Sequence, residues 1–165
     1  MNKNKITTVA NNSRNEIVAA LLRNELEPNL GFSGSGQEVS IMRSTLIRTG
    51  VWEENNGFQN INLKTNKVQY MAEMLGTIES FIIGARTDGQ KSFVELYERL
   101  TSPKYHIGLR KGLIPIYLAA VIHVYKREVV ISDQLGEVVV SSDVIAQINA
   151  KPDKFFLSYL DWNPE

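Results

Sequence analysis

Residues 113–125 read Leu-Ile-Pro-Ile-Tyr-Leu-Ala-Ala-Val-Ile-His-Val-Tyr, the longest apolar stretch of the chain. At about 13 residues it is shorter than the roughly 18 that a membrane-spanning helix requires. Its apolar side chains would cover nearly every face of a helix, which is typical of a buried helix and not of one that reads bases. Pro115 fits in the first turn, where its missing N–H is tolerated. The stretch therefore predicts a core helix from about Leu113 to Lys126.

The segment before this helix predicts another helix and a basic loop. Ser92 is a suitable N-cap for a helix that runs to about Leu100. Four apolar residues recur on one of its faces, and we expect them to point inward: Phe93, Leu96, Tyr97 and Leu100. The residues from Ser102 to Gly112 then form the loop that leads to the core helix.

The segment after the core helix predicts a β-hairpin, a short helix and a final strand. Residues 128–132 and 137–140 are rich in valine and isoleucine and flank Gln134-Leu135-Gly136, a pattern typical of a hairpin. Ser142 or Asp143 is the predicted cap of a short helix that ends before Pro152, and residues 155–160 alternate like a strand. The order helix, loop, helix, hairpin is that of a winged helix.

The first half of the chain predicts three more helices. Thr7 or Thr8 is the predicted cap of the first helix, which runs to about Glu25, and Ser35 of the second, from about Gln37 to Thr49. Gly50 stands where a left-handed residue would end that second helix. The third helix has apolar residues at three- and four-residue steps: Val68, Met71, Leu75, Ile78 and Ile82. Asn55-Asn56-Gly57 marks either a short hairpin or a simple loop.

These patterns predict an α+β, mostly helical fold with a helical N-terminal half and a winged-helix-like second half. We expect residues 1–165 to form a single module, with 1–63 and 64–165 as possible sub-units. The absence of cysteine excludes disulfides and thiolate metal sites, and 18 basic residues balance 18 acidic ones. The N-terminus lacks the apolar stretch of a signal peptide, so we expect a cytoplasmic protein.

Charge is unevenly distributed within this neutral chain. Between Arg99 and Arg127 there are six lysines and arginines, both histidines and no carboxylate. Lys126 and Arg127 follow the C-terminus of the core helix, where cations stabilise a helix without any ligand. Arg110 lies just before the N-terminus of that helix, where a cation is mildly unfavourable unless an anion binds there.

The basic loop is therefore the candidate nucleic-acid-binding site, with four residues: Lys104, His106, Arg110 and Lys111. A solvated surface loop is the other interpretation of the same residues. Because the core helix has no polar face, contact with nucleic acid would be made to phosphates by this loop, the hairpin or the helix ends. Asp133 and Glu137 make the hairpin acidic, which restricts where a nucleic acid could bind.

Other motifs carry no recognisable chemistry. The glycine-rich loop of residues 31–36 lacks the preceding strand and the Gly-Lys-Ser/Thr ending of a phosphate-binding P-loop, so we interpret it as a linker between helices. His123 lies in an apolar helix and is most simply a packed histidine, and His106 has no orienting carboxylate nearby in sequence. We expect no catalytic residues, no metal site and no cofactor.

Two segments resemble a region of large bacterial multidomain ATPases, including those of phage-defence systems of the BREX and phosphorothioation type. Residues 93–103 read Phe-Val-Glu-Leu-Tyr-Glu-Arg-Leu-Thr-Ser-Pro and residues 108–115 read Gly-Leu-Arg-Lys-Gly-Leu-Ile-Pro. Residues 34–41, Gly-Ser-Gly-Gln-Glu-Val-Ser-Ile, together with Thr49-Gly50, are similar to the stretch that precedes this region. The resemblance implies a winged-helix-type module outside the ATPase domain, without catalytic residues, and cut from a larger protein.

Two functions remain open at this point. The first is a non-catalytic accessory domain of a bacterial antiviral-defence or DNA-transaction ATPase that contacts the nucleic-acid phosphate backbone through the basic loop. The second is a protein-interaction or scaffold domain that binds no nucleic acid and packs against other domains or subunits of a larger ATPase assembly. Neither involves a membrane.

Overall fold

The apolar stretch at residues 113–125 forms the helix around which the protein is built. The structure is a computed structural model that describes residues 3–68, 70–102 and 109–160, with side chains from residue 11 onward. Helix α5 spans Ile114–Val124, and every side chain from Ile114 to Ile122 is buried. The predicted core helix is confirmed.

Six α-helices and two antiparallel sheets make up the described part of the chain, which confirms the α+β, mostly helical fold class. The other helices are α1 (Lys3–Leu21), α2 (Gln37–Met42), α3 (Met71–Asp88), α4 (Phe93–Thr101) and α6 (Ser142–Ala150). The strands are β1 (Trp52–Asn55), β2 (Phe58–Ile61), β3 (Lys91–Ser92), β4 (Val129–Asp133), β5 (Gly136–Val138) and β6 (Phe156–Tyr159). In the second half, α4, α5, the β4–β5 hairpin, α6 and β6 follow one another in the predicted order.

Helix α4 forms as its sequence predicts. The Ser92 hydroxyl accepts a hydrogen bond from the Val94 N–H at 3.2 Å, which satisfies one of the free donors at the start of the helix. The four predicted inward residues are all buried: Phe93, Leu96, Tyr97 and Leu100. Local capping and a strong apolar period agree here, so the prediction is confirmed.

Two predicted caps in the first half are wrong. Helix α1 begins at Lys3, so Thr7 and Thr8 lie inside it. Gly36 and not Ser35 is the N-cap of α2, so no side chain caps this helix. The Glu38 carboxylate instead folds back onto Gly36. It lies so close that a Cβ atom built on this glycine would be 2.5 Å from Glu38 Oε1. A negative charge in the first turn is itself favourable for a helix, which removes the need for a capping hydroxyl.

Two further boundaries differ by a few residues. The Ser141 hydroxyl accepts a hydrogen bond from the Val144 N–H at 3.2 Å, so Ser141 caps α6 in place of Ser142 or Asp143. Val68 precedes α3 and is 39% exposed, so it does not belong to the apolar face of that helix.

The second helix changes geometry halfway. It is α-helical to Met42 and continues as a π-helical stretch over Arg43–Ile47. The Thr45 hydroxyl donates to the Ile41 carbonyl at 2.6 Å, and the Tyr117 hydroxyl of α5 donates to the Thr45 carbonyl at 3.0 Å. Hydroxyls that bond helix carbonyls compete with the regular ladder. Gly50 follows with φ +80°, the left-handed conformation predicted for it.

Residues 51–66 contain a hairpin, which settles the two alternatives for this segment. β1 pairs with β2 in a register that places Asn55 opposite Phe58. Asn56 and Gly57 form the two-residue turn with φ of 52° and 87°, as a type I′ turn requires.

The second sheet has the strand order β3-β6-β4-β5, with every pair antiparallel. Ile131 of β4 lies between Val138 of β5 and Leu157 of β6, and Ile131 and Leu157 are fully buried on the inner face. Gln134 and Leu135 close the β4–β5 hairpin, as predicted.

One hydrophobic core includes residues from both predicted sub-units, such as Ile17 and Leu46 from the first and Phe81 and Leu118 from the second. Helix α5 contacts α1, α3 and α6 and also β2. In the described ranges, no helix has both the length and the apolar character needed to cross a bilayer.

Because α5 is buried on all sides, we expect truncation of its side chains to be costly. Replacing Ile122, which is 2% exposed, with alanine removes buried methylenes and leaves a cavity. We expect Ile122→Ala to lower the free energy of unfolding by about 2–5 kcal/mol in chemical denaturation. The matched control is Val124→Ala on the same helix, whose side chain is 45% exposed, and it should cost less than about 1 kcal/mol. Equal losses for the two variants would contradict a central position for α5.

Candidate nucleic-acid interface

Two of the predicted site residues lie just before the N-terminus of α5. Arg110 has an extended backbone, and Lys111 begins a 3-10 turn, Lys111–Leu113, that runs directly into the helix. The Leu109 N–H donates to the Leu100 carbonyl at 2.7 Å, which fixes the approach to this turn against the end of α4. Both Arg110 and Lys111 are exposed, so their charges face solvent near the helix N-terminus, as the sequence predicted.

A third cation reaches the same place from α1. A Cβ built on Gly112 would lie 2.7 Å from Nη1 of Arg14 and 3.5 Å from its Cζ, so the guanidinium packs over this glycine. Arg14 is distant from the loop in sequence, and its contact depends on the packing of α1 against α5. Sequence reasoning missed it because nothing in the local pattern links the two. We call Arg14, Arg110 and Lys111 the α5 basic cluster.

The charges of the α5 basic cluster are not balanced by neighbouring carboxylates. Within the described ranges, none of its three residues forms an ion pair. Other cations do: Arg23 pairs with Glu27 at 3.3 Å, and Arg99, at the start of the basic segment, lies 3.8 Å from Glu95. The helix N-terminus adds partial positive charge at the same place. An anion such as a phosphate would therefore be attracted here.

The other two predicted site residues are not placed. Lys104 and His106 lie outside the described residues, so the structure neither joins them to the α5 basic cluster nor separates them from it.

The basic residues at the opposite end of α5 have a structural role. His123 Nδ1 lies 2.9 Å from the Leu21 carbonyl oxygen, so the ring donates from Nδ1 to the last residue of α1. The Lys126 ammonium donates to the Asn24 carbonyl. Both side chains thus satisfy carbonyls at and just beyond the end of α1, which would otherwise lack partners.

This contact corrects two predictions. Helix α5 ends at Val124 and not at Lys126, and the Lys126 ammonium binds a carbonyl just beyond the end of the neighbouring helix α1. Helix α1 ends at Leu21 and not near Glu25, and the His123 and Lys126 side chains bind the Leu21 and Asn24 carbonyls at this end. The contacts of Arg14 with residue 112 and of Leu21 with residue 123 also show that α1 and α5 run in the same direction.

The glycine-rich loop joins α2 to a 3-10 turn at Pro28–Gly31, which agrees with its interpretation as a linker. In the part of the chain that the structure describes, no three histidine, aspartate or glutamate side chains converge to hold a metal ion.

Comparison with known proteins gives no relative: no family model, curated protein or solved structure matches the chain.

The environment of His123 predicts a pH dependence of stability. Burial lowers the pKa of His123 from its usual 6.5, and the charge of Lys126 lowers it further, against the effect of its hydrogen bonds to the Leu21 and Arg23 backbone. The unfolded chain therefore binds the proton more tightly, and the free energy of unfolding should fall as the pH drops through about 6.5. We expect this loss in urea unfolding between pH 7.5 and 5.5.

His123→Gln keeps a donor for the Leu21 carbonyl but does not titrate, so its stability should change less over that range. His106→Gln removes the other histidine and measures how much of the parent's pH dependence comes from that residue. A parent and a His123→Gln variant with the same pH dependence would contradict the assignment.

Proposed function

We propose that this chain is a non-catalytic module that contacts the phosphate backbone of nucleic acid through the α5 basic cluster. The observation that supports the proposal is the convergence of Arg14, Arg110 and Lys111 at a helix N-terminus without a paired carboxylate. Helix N-termini with flanking cations are suited to phosphate because backbone N–H groups and side chains act on the same anion.

The proposed contact is independent of base sequence. Base edges are read by polar side chains that enter a groove, whereas α5 is buried along its length. Three cations that contact phosphates give weak, salt-dependent affinity of the kind that positions a larger protein on nucleic acid. This agrees with an accessory domain of a bacterial defence or DNA-transaction ATPase, which is the parent that the sequence resemblance predicts.

Charge removal tests this function. We expect the parent to bind a fluorescent duplex of about 20 base pairs, with a Kd that rises steeply with salt. The triple variant Arg14→Ala, Arg110→Ala, Lys111→Ala should bind at least about tenfold more weakly at low salt, and its slope of log Kd against log salt should decrease by roughly 2 to 3, about 0.9 per lost phosphate contact. A variant with Arg14→Lys, Arg110→Lys and Lys111→Arg keeps the charges and should keep the slope.

The matched control removes two exposed cations elsewhere, Lys151→Ala with Lys154→Ala. These lysines and the α5 basic cluster lie near opposite ends of α4. Lys154 precedes Phe155, whose carbonyl accepts from the Phe93 N–H at the start of α4, whereas Leu109, next to Arg110, is bound at the end of α4. The control should bind like the parent. A parent that does not bind at moderate salt, or a folded triple variant that binds equally well, would exclude the nucleic-acid function and favour an acidic protein surface as the partner.

A further inference from the structure

The outer edge of the second sheet is open. β5 is the last strand in the order β3-β6-β4-β5, so within the described residues its outer N–H and C=O groups have no strand partner. Natural sheets protect such edges with lysine, proline or bulges, because an open edge is a template for another strand. Residues 134–140, Gln-Leu-Gly-Glu-Val-Val-Val, contain neither lysine nor proline, and the three valines have high β propensity.

Apolar side chains are exposed at both ends of this edge. Leu135 at the tip of the hairpin is 98% exposed, and Val139 just after β5 is 84% exposed. Leu160, which follows β6, is 43% exposed. Single exposed apolar residues are ordinary, but these flank an unpaired strand and the groove beside it.

That groove lies on the outer face of the sheet and has a volume of about 520 Å³. Its walls include Gln90, Val130, Ser132, Ser158 and Leu160, and the charged residues among its described lining are Asp133 and Glu137. Lys151 and Lys154 line a different groove on the other side of the hairpin tip, with Phe155 and Gln147. The outer groove therefore mixes polar and apolar side chains and carries acidic charge, opposite in sign to the α5 basic cluster.

We propose that the β5 edge and the outer groove bind an extended segment of a partner protein that alternates basic and apolar residues. Such a segment would add a fifth strand beside β5, with its apolar side chains on the inner face beside Val138 and its cations on the outer face beside Glu137. Nucleic acid is disfavoured at this surface because both charged groups repel phosphate. This surface is separate from the proposed nucleic-acid interface and does not depend on it.

A model peptide is sufficient to test the surface, because in strand addition main-chain hydrogen bonds supply affinity and the alternating side chains supply specificity. Two seven-residue peptides serve as probes, one alternating lysine with valine and one alternating glutamate with valine. Titrated into the ¹⁵N-labelled chain up to about 1 mM, the lysine peptide should shift the amides of residues 134–140 in a saturable manner, and the glutamate peptide should not.

Charge reversal makes the test specific. Glu137→Lys should weaken binding of the lysine peptide about three- to fivefold, the size of one exposed ion pair, and improve binding of the glutamate peptide. Glu98→Lys, an exposed carboxylate on α4, changes the net charge equally and should leave both affinities as in the parent.

Three outcomes would overturn the proposal. The first is no saturable shift at residues 134–140 with either peptide. The second is a shift of these amides with protein concentration alone, which would make a second copy the occupant. The third is a shift of the same amides with duplex DNA. Loss of DNA binding by the α5 basic cluster would leave the peptide result unchanged, so the two proposals fail separately.

Discussion

Burial of α5 on every face is the constraint on which the rest of the structure depends. A helix with apolar side chains all round is stable in water only when other elements enclose it. Helices from both halves of the chain, α1, α3 and α6, do this together with the β1–β2 hairpin. Since the length of α5 is used for packing, only its two ends and the outer surfaces of its neighbours are left for function.

The direction of α1 determines which charges lie beside the two ends of α5. α1 and α5 run in the same direction, so the partial negative charges of their C-termini lie side by side. His123 and Lys126 supply hydrogen-bond donors where the two helices end, and Lys126 supplies positive charge. At the other end, Arg14 joins Arg110 and Lys111, where the partial charge is already positive and carboxylate partners are lacking among the described residues. Basic side chains thus bind backbone carbonyls at one end, and at the other end they form the cluster that we propose binds phosphate.

The sequence was most informative where local signals and burial coincide. Ser92 with the apolar period of α4, the all-apolar α5 and the Gln134-Leu135-Gly136 turn were all identified from the chain alone. The end of α1 and the position of Arg14 were not, because each depends on a contact between residues about 100 positions apart. The Ser35 cap was wrong for a local reason, since Glu38 supplies the negative charge for that helix N-terminus.

We propose that nucleic acid contacts the N-terminal end of α5 and not the acidic hairpin. Amide hydrogen exchange with and without a duplex, followed residue by residue by NMR, tests it most directly. We expect DNA to slow exchange at residues 109–113 and around Arg14. The amides of α5 from Ile116 to Ile122 should stay equally protected in both states, and those of residues 134–139 should be unchanged. Slowed exchange at residues 134–139, or at no site on the chain, would contradict it.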